Sequence, residues 1–384
     1  MIEQEELFMR SHGQKLAYSL VAASLLLGGT VSASPPAVPE SGAGLQAMAK
    51  DQPFVTVPIE SLKPAQAMEK PVLTPTGGQL ILSDSPEMPT APGAYYRDRV
   101  TGSFRVFYHH LNNTGAPLQI GAAVTNTSGY TVKLYEEGSG AGVDYYPDVA
   151  GQIALAAFLK DRGSKRPAAV LKPGETYWRT AEVPATHTLS GILQLRAESA
   201  SGGAAPVTVT TLGYAMRPAD PLAEPVLPPD RHIRGTFPHY DRTGTLVYKT
   251  SAGNSLLRVD SSPTGQWADF MPGEYEQGVD ATSGAAVLNP GNYGVIYDMS
   301  VEIENDSDER RTVGVYLNPS GGSGHYTIGW GGKLLNSGFL NYTMAWQLSE
   351  FNVGRKGKTV PSRLSLTGGS AGPQTLYFTN RPFQ

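Results

Sequence analysis

Six residues within one short stretch carry the most suggestive chemistry in this chain: Trp267, Asp269, Glu274, Tyr275, Glu276 and Asp280. Aromatic rings offer flat apolar platforms for a sugar ring, and carboxylates accept hydrogen bonds from its hydroxyls. The stretch is therefore expected to bind a ligand, with polysaccharide the chemistry that fits first. Two carboxylates held roughly 5 to 9.5 Å apart also run glycoside hydrolysis, but spacing along a chain does not set that distance. Trp330, Tyr342 and Trp346 would extend the platform, in competition with a core role, because large rings are mostly buried.

His109 and His110 are the most conspicuous candidates for a metal. Neighbours on a strand point to opposite faces, so regular geometry cannot bring both rings to one ion. The competing reading places one histidine in a hydrogen bond near a turn and the other at the surface. Asp84, Glu87, Asp98, Asp144 and Asp148 offer oxygen ligands for calcium, as do Glu302, Glu304, Asp306, Asp308 and Glu309. Neither set forms the alternating acidic loop of a strong calcium motif, so calcium is allowed and no cofactor is expected. Gly321-Gly322-Ser323-Gly324 lacks the strand and helix that frame a phosphate cradle. No G-x-S-x-G elbow stands on a strand–helix junction, and no catalytic motif stands out.

These residues must be carried by strands. Charged residues make up 17% of the chain, well below the average, while 44 Gly, 30 Pro and 19 Tyr favour strands and turns. Alternating or β-branched runs at Phe104 to Tyr108, Leu118 to Thr125, Tyr130 to Tyr135, Ile192 to Ala197 and Val207 to Leu212 are bounded by Asn, Gly and Ser. One helix is expected over Val149 to Lys160, with Asp148 as its cap.

Proline divides the chain. Residues 34–77 read as a flexible Pro/Ala-rich linker, and 218–229 as a stiff spacer. They bound two blocks, 78–217 and 230–384, the second with an insertion at about 249–289. An offset of 181 pairs Val132 with Val313, Tyr135 with Tyr316 and Tyr145 with Tyr326. An offset of 179 pairs Asn126 with Asn305, and one of 171 pairs Leu193 with Leu364. The expected fold is all-β: two tandem, duplicated β-sandwiches of immunoglobulin-like or jelly-roll-like type, with one short helix in the first.

The N-terminus reads as an export signal. Leu16 to Thr30 is apolar but shorter than the roughly 20 residues a membrane span needs. Val31-Ser32-Ala33 forms a small-x-small cleavage site, giving a signal peptide over 1–33. Glu3, Glu5 and Glu6 do not suit a basic leader, whereas a start at Met9 places Arg10 and Lys15 correctly. No later stretch is expected to hold the chain in a membrane. The net charge of −4 offers no field for nucleic acid. The absence of cysteine removes disulfides, thiolate metal sites and a thiol nucleophile, and suits a monoderm bacterial envelope.

Tyr96-Arg97-Asp98-Arg99-Val100-Thr101-Gly102 and Arg105-Val106-Phe107-Tyr108-His109-His110-Leu111-Asn112-Asn113-Thr114-Gly115, with Gly235-Thr236-Phe237 and Gly291-Asn292-Tyr293-Gly294-Val295, resemble a family of secreted proteins from Gram-positive bacilli. The resemblance covers most of the chain after residue 77. Some relatives sit beside a repeat named after the N-terminal domain of copper amine oxidases. That repeat is absent here, so no amine oxidase chemistry is implied. The family has no assigned activity, so the resemblance implies export and architecture but no catalytic residue. Together these readings point to a secreted or envelope protein that binds polysaccharide or an envelope protein without catalysis. A polysaccharide hydrolase and a structural spacer of the cell surface are the alternatives.

Overall fold

A computed structural model describes residues 54–266 and 268–382. The expected signal peptide, the first part of the expected linker and Trp267 lie outside the described residues. The fold is all-β, with one α-helix, Pro147–Lys160, among the described residues.

The first half is a sandwich. One sheet runs in the order Thr176–Val183, Leu118–Thr125, Pro206–Tyr214, Gly93–Thr101. The facing strands run Gln79–Ser83, Ser103–Leu111, Thr188–Ser199, Val132–Asp144. The second half has the sheet Met344–Val353, Arg311–Pro319, Gln374–Pro382, Ser255–Val259 facing Asp241–Lys249, Ile296–Glu304, Lys358–Leu364, Thr327–Trp330. The two orders correspond strand for strand. Each half even opens its second sheet with a parallel pair.

This correspondence corrects the offsets read from the sequence. Asn112 donates from Nδ2 to the carbonyls of Ala116 (2.8 Å) and Val183 (2.9 Å). Asn305 does the same to Glu309 (2.8 Å) and Val353 (2.9 Å). The counterpart of Asn305 is therefore Asn112, not Asn126. Asn126 makes the same kind of corner one hairpin later, to Tyr130 and Leu171. Repeated corner chemistry made a register shifted by one hairpin look convincing.

The halves are not beads on a string. The strand Ser103–Leu111 sends Phe104, Val106 and Tyr108 into the first core, while Phe107, on the opposite face, joins the core of the second half. Leu155, Phe158 and Leu159 of the helix join the same cluster. The helix lies on a glycine stripe in Val132–Asp144: a Cβ on Gly140 would come within 2.1 Å of the Ala154 carbonyl. Its cap is Tyr146 rather than Asp148, because Pro147, which has no N–H to satisfy, starts the first turn.

The linker and spacer readings also change where the structure describes them. Thr56–Pro58 pairs with Met344–Val353, Gln66–Ala67 with Ser255–Val259, and Thr74–Thr76 with Asp241–Lys249. Strands of two or three residues between prolines leave too little periodicity to read. The 218–229 stretch lies along Gly93–Thr101 and does not stand apart as a spacer. Leu227 N donates to Ala94 O, and Arg97 donates to the carbonyls of Pro221 (2.8 Å) and Glu224 (2.7 Å). Proline removes donors but leaves carbonyls, and Arg97 uses them. Finally, Ser255–Val259 is an integral strand beside Gln374–Pro382, so the inserted chain starts only after Val259.

Candidate functional site

The carboxylates singled out between 269 and 280 each have a task inside the protein. Glu274 is fully buried. Its Oε1 accepts from Asp260 N (2.8 Å) and Tyr297 OH (2.9 Å), and its Oε2 from Met271 N (2.7 Å). Burial raises its pKa. Glu276 pairs with His239 (2.8 Å) and Arg242 (3.0 Å). Asp280 accepts from Thr282 N (2.9 Å) and Ser283 OH (3.0 Å), and faces Arg234 at 3.6 Å. The Tyr275 hydroxyl donates to the Ser261 carbonyl. These residues build the turns of the inserted chain. Glu274 is buried while Glu276, two residues on, pairs with Arg242, a difference the sequence could not show.

Asp269 is different. Its carboxylate is held by Arg258 (2.7 Å) and by Lys70. Burial works against its charge, but these two cations hold the pKa below the ordinary carboxylate value. Arg258 in turn lines a groove of about 680 Å³ on the second half.

The groove has a wall that sequence reasoning missed. The 3₁₀ turn Ile59–Leu62 and the residues after it form one side, in the stretch read as linker. Ile59 N donates to Thr343 O (2.9 Å) and Gln66 N to Asn254 O (2.9 Å), which anchors this side to the sheet at both ends. Glu60 and Lys63 line it and pair at 3.0 Å. Arg258, Ser320, Tyr342 and Tyr377 complete the lining on which the chemistry turns. Tyr342 is 61% exposed, while its backbone carbonyl is held by Asn318 Nδ2 at 3.0 Å. The groove thus combines an aromatic face on a fixed backbone with both charges and a hydroxyl, within the size range of ligand sites. Of the rings expected to extend a platform, only Tyr342 is available; Trp330 and Trp346 are core residues.

Both histidines are buried, so neither takes the surface position expected for one of them. They do point to opposite faces. His110 faces the first core, with Nε2 3.1 Å from Ser83 Oγ and Nδ1 2.8 Å from the Pro86 carbonyl. His109 faces the seam between the halves, where neither ring nitrogen has a partner. Desolvation pulls His109 down to about 4 and His110 to about 3. Among the described residues, no three His, Asp or Glu side chains gather as a metal site. Glu87 instead pairs with His232 (2.8 Å), Asp148 with His325 (2.9 Å), and Asp308 with Arg355 (2.5 Å). Asp306 accepts from Ser251 N and Thr250 OH, both at 2.8 Å.

No family model matches the chain, and no curated protein matches it. Among solved structures, the CUB1-EGF-CUB2 domain of human MASP-1/3 is 8% identical, covering 79% of this chain and 99% of its own, with a TM-score of 0.18. The 11S allergen from Cocos nucifera L. is 11% identical, covering 77% and 90%, with a TM-score of 0.11. Superpositions this poor carry no functional argument.

Proposed function

We propose that this is an exported, non-catalytic protein that binds polysaccharide or a protein of the cell envelope through the groove between Glu60, Arg258 and Tyr342. The observation that carries the reading is Tyr342, an exposed ring on a pinned backbone beside hydrogen-bonding charges. A sugar ring stacks on such a face while Arg258, Lys63 and Glu60 reach its hydroxyls. Internal pairing of Glu274, Glu276 and Asp280 favours binding over hydrolysis. The leader read over 1–33 supports work outside the cytoplasm.

The test is retention of the chain from Ser34 onward on insoluble polysaccharides and envelope fractions, beside its Tyr342→Ala and Arg258→Ala variants. Retention of the wild type with at least tenfold weakening in both variants supports the groove. Failure of the wild type to bind any fraction removes the proposal. Fractionation of producing cells tests export separately.

A further inference from the structure

The groove on the second half has a chemistry that narrows its ligand. Its floor is the outer face of a sheet. Leu256 stands opposite Tyr377 on neighbouring strands, and Arg258 stands opposite Thr375. Alternation puts these four on the outer face, since Leu257 and Leu376, which lie between them, point into the core. Tyr377 belongs to a small apolar cluster with Ile59 and Leu62 of the 3₁₀ turn, which fixes its ring. Lys63, directly after that turn, and Arg258 both line the groove, and the charge of each acts on the Tyr377 hydroxyl. An ammonium, a guanidinium and a phenol thus converge from three separate segments.

Acceptors are scarce beside them. Glu60 is the one carboxylate among the residues lining the groove, and Lys63 pairs with it at 3.0 Å. Asn318 uses its amide N–H groups on the carbonyls of Tyr342 and Met344. The hydroxyls of Ser320 and Thr375 bond to each other at 2.5 Å. Behind the groove, Asp269 is shared between Arg258 and Lys70. Three cations, Lys63, Lys70 and Arg258, therefore face two carboxylates, Glu60 and Asp269. The chain as a whole carries a net charge of −4, so this local surplus of positive charge runs against the average.

The cations keep capacity for a ligand. Arg258 gives Asp269 its Nη1 at 2.7 Å, and a guanidinium has further N–H groups to offer. The Lys63–Glu60 pair is exposed on both sides, and such pairs are weak, so Lys63 can turn to a bound anion. A neutral sugar hydroxyl both donates and accepts, and a donor-rich site uses only half of that capacity. An ionised carboxylate or phosphate accepts, and its hydrogen bonds from arginine and lysine are charge-assisted.

We infer that the groove takes an acidic saccharide, with the anionic group held between Lys63, Arg258 and the Tyr377 hydroxyl and the sugar ring against Tyr342. This rests on the groove reading above and adds the charge of the ligand to it.

The experiment is calorimetric titration of the chain from Ser34 onward with matched acidic and neutral probes. Oligogalacturonate is compared with its methyl ester, and glucose 6-phosphate with glucose. The expected result is about tenfold tighter binding of an acid than of its neutral counterpart. Tyr377→Phe and Lys63→Gln should each weaken the acid about threefold more than the neutral form, whereas Tyr342→Ala should weaken both alike. Selectivity for the uronate or for the phosphate supports the inference and identifies the anion. Equal affinity for acid and neutral form overturns the inference and leaves the groove reading standing. Selectivity unchanged in both Tyr377→Phe and Lys63→Gln also overturns it, because the acid then binds elsewhere. No saturable binding of any probe overturns it as well, and retention on a neutral polysaccharide, lost in Tyr342→Ala, would then preserve the groove reading alone.

Discussion

Arg105 of the first half lies 2.9 Å from Asp241 of the second, with the arginine side chain almost fully buried. The same guanidinium donates to the carbonyls of Tyr240 (2.7 Å) and Gly294 (3.0 Å), and its centre lies 4.3 Å from the Tyr240 ring. One side chain therefore joins three points across the seam.

Arg105→Met should destabilise the protein by about 3 kcal/mol, since it leaves Asp241 and two carbonyls without their partner. With a shared core across the seam, the halves should unfold in one transition. Denaturant unfolding followed by fluorescence and by circular dichroism checks both points. Two separate transitions in the wild type would contradict the shared core.

A chain beginning at residue 78 should be markedly less stable than one beginning at residue 54. It loses the strands Thr56–Pro58, Gln66–Ala67 and Thr74–Thr76, which cover sheet edges of the second half. Uncovered edges template association. Thermal melting and light scattering of the two chains provide the comparison, and equal midpoints without aggregation would show that the edges need no cover.

Gly151→Ala tests the seat of the helix. The added methyl would sit 2.0 Å from the Gly368 carbonyl oxygen, so backbone must move. Overpacking of this kind costs about 1–3 kcal/mol. Gly129→Ala, where nothing lies within 4 Å, is the control and should change stability by less than about 0.5 kcal/mol. Similar midpoints for both variants would mean that the helix seat is slack.

Acid should weaken the fold through its buried histidines. An unfolded histidine titrates near 6.5, whereas burial holds His109 near 4 and His110 near 3. Between those values the unfolded chain binds more protons. Stability from each histidine is therefore intact above pH 6.5 and falls as the pH drops toward the folded value, by up to about 3 kcal/mol for His109 and about 5 kcal/mol for His110. Buried Asp260 and Glu274 have raised pKa values and act in the opposite sense, their contribution being lost as pH rises. The difference between wild type and His110→Gln isolates the histidine. The variant's stability should fall less steeply between pH 6.5 and 4, and parallel profiles would rule the histidine out.

Asn112 and Asn305 show how much of this was legible. Each stands at the end of a strand, and the Asn-x-Thr or Asn-x-Ser pattern announces a turn wherever it occurs. The chain can be cut into strands on that evidence alone. The pattern recurs at Asn126 as well, so local chemistry could not say which corner matches which. For the candidate site, Asp269 and Tyr342 were both visible in the sequence. Nothing linked them, because the Arg258 between them and the turn at Glu60 reach the groove only through long-range pairing.

What the sequence determined by itself is what short-range physics controls: an all-β chain, its turns, the helix before Lys160, and the opposite facing of His109 and His110. Tertiary structure alone decided the rest. Carboxylates near one another in sequence went to separate partners, because burying a charge requires a specific donor. Short segments between prolines became strands, because sheet edges supplied the hydrogen bonds they could not make alone. The two halves became one body because the strand that carries His109 has two apolar faces, and each needed a core.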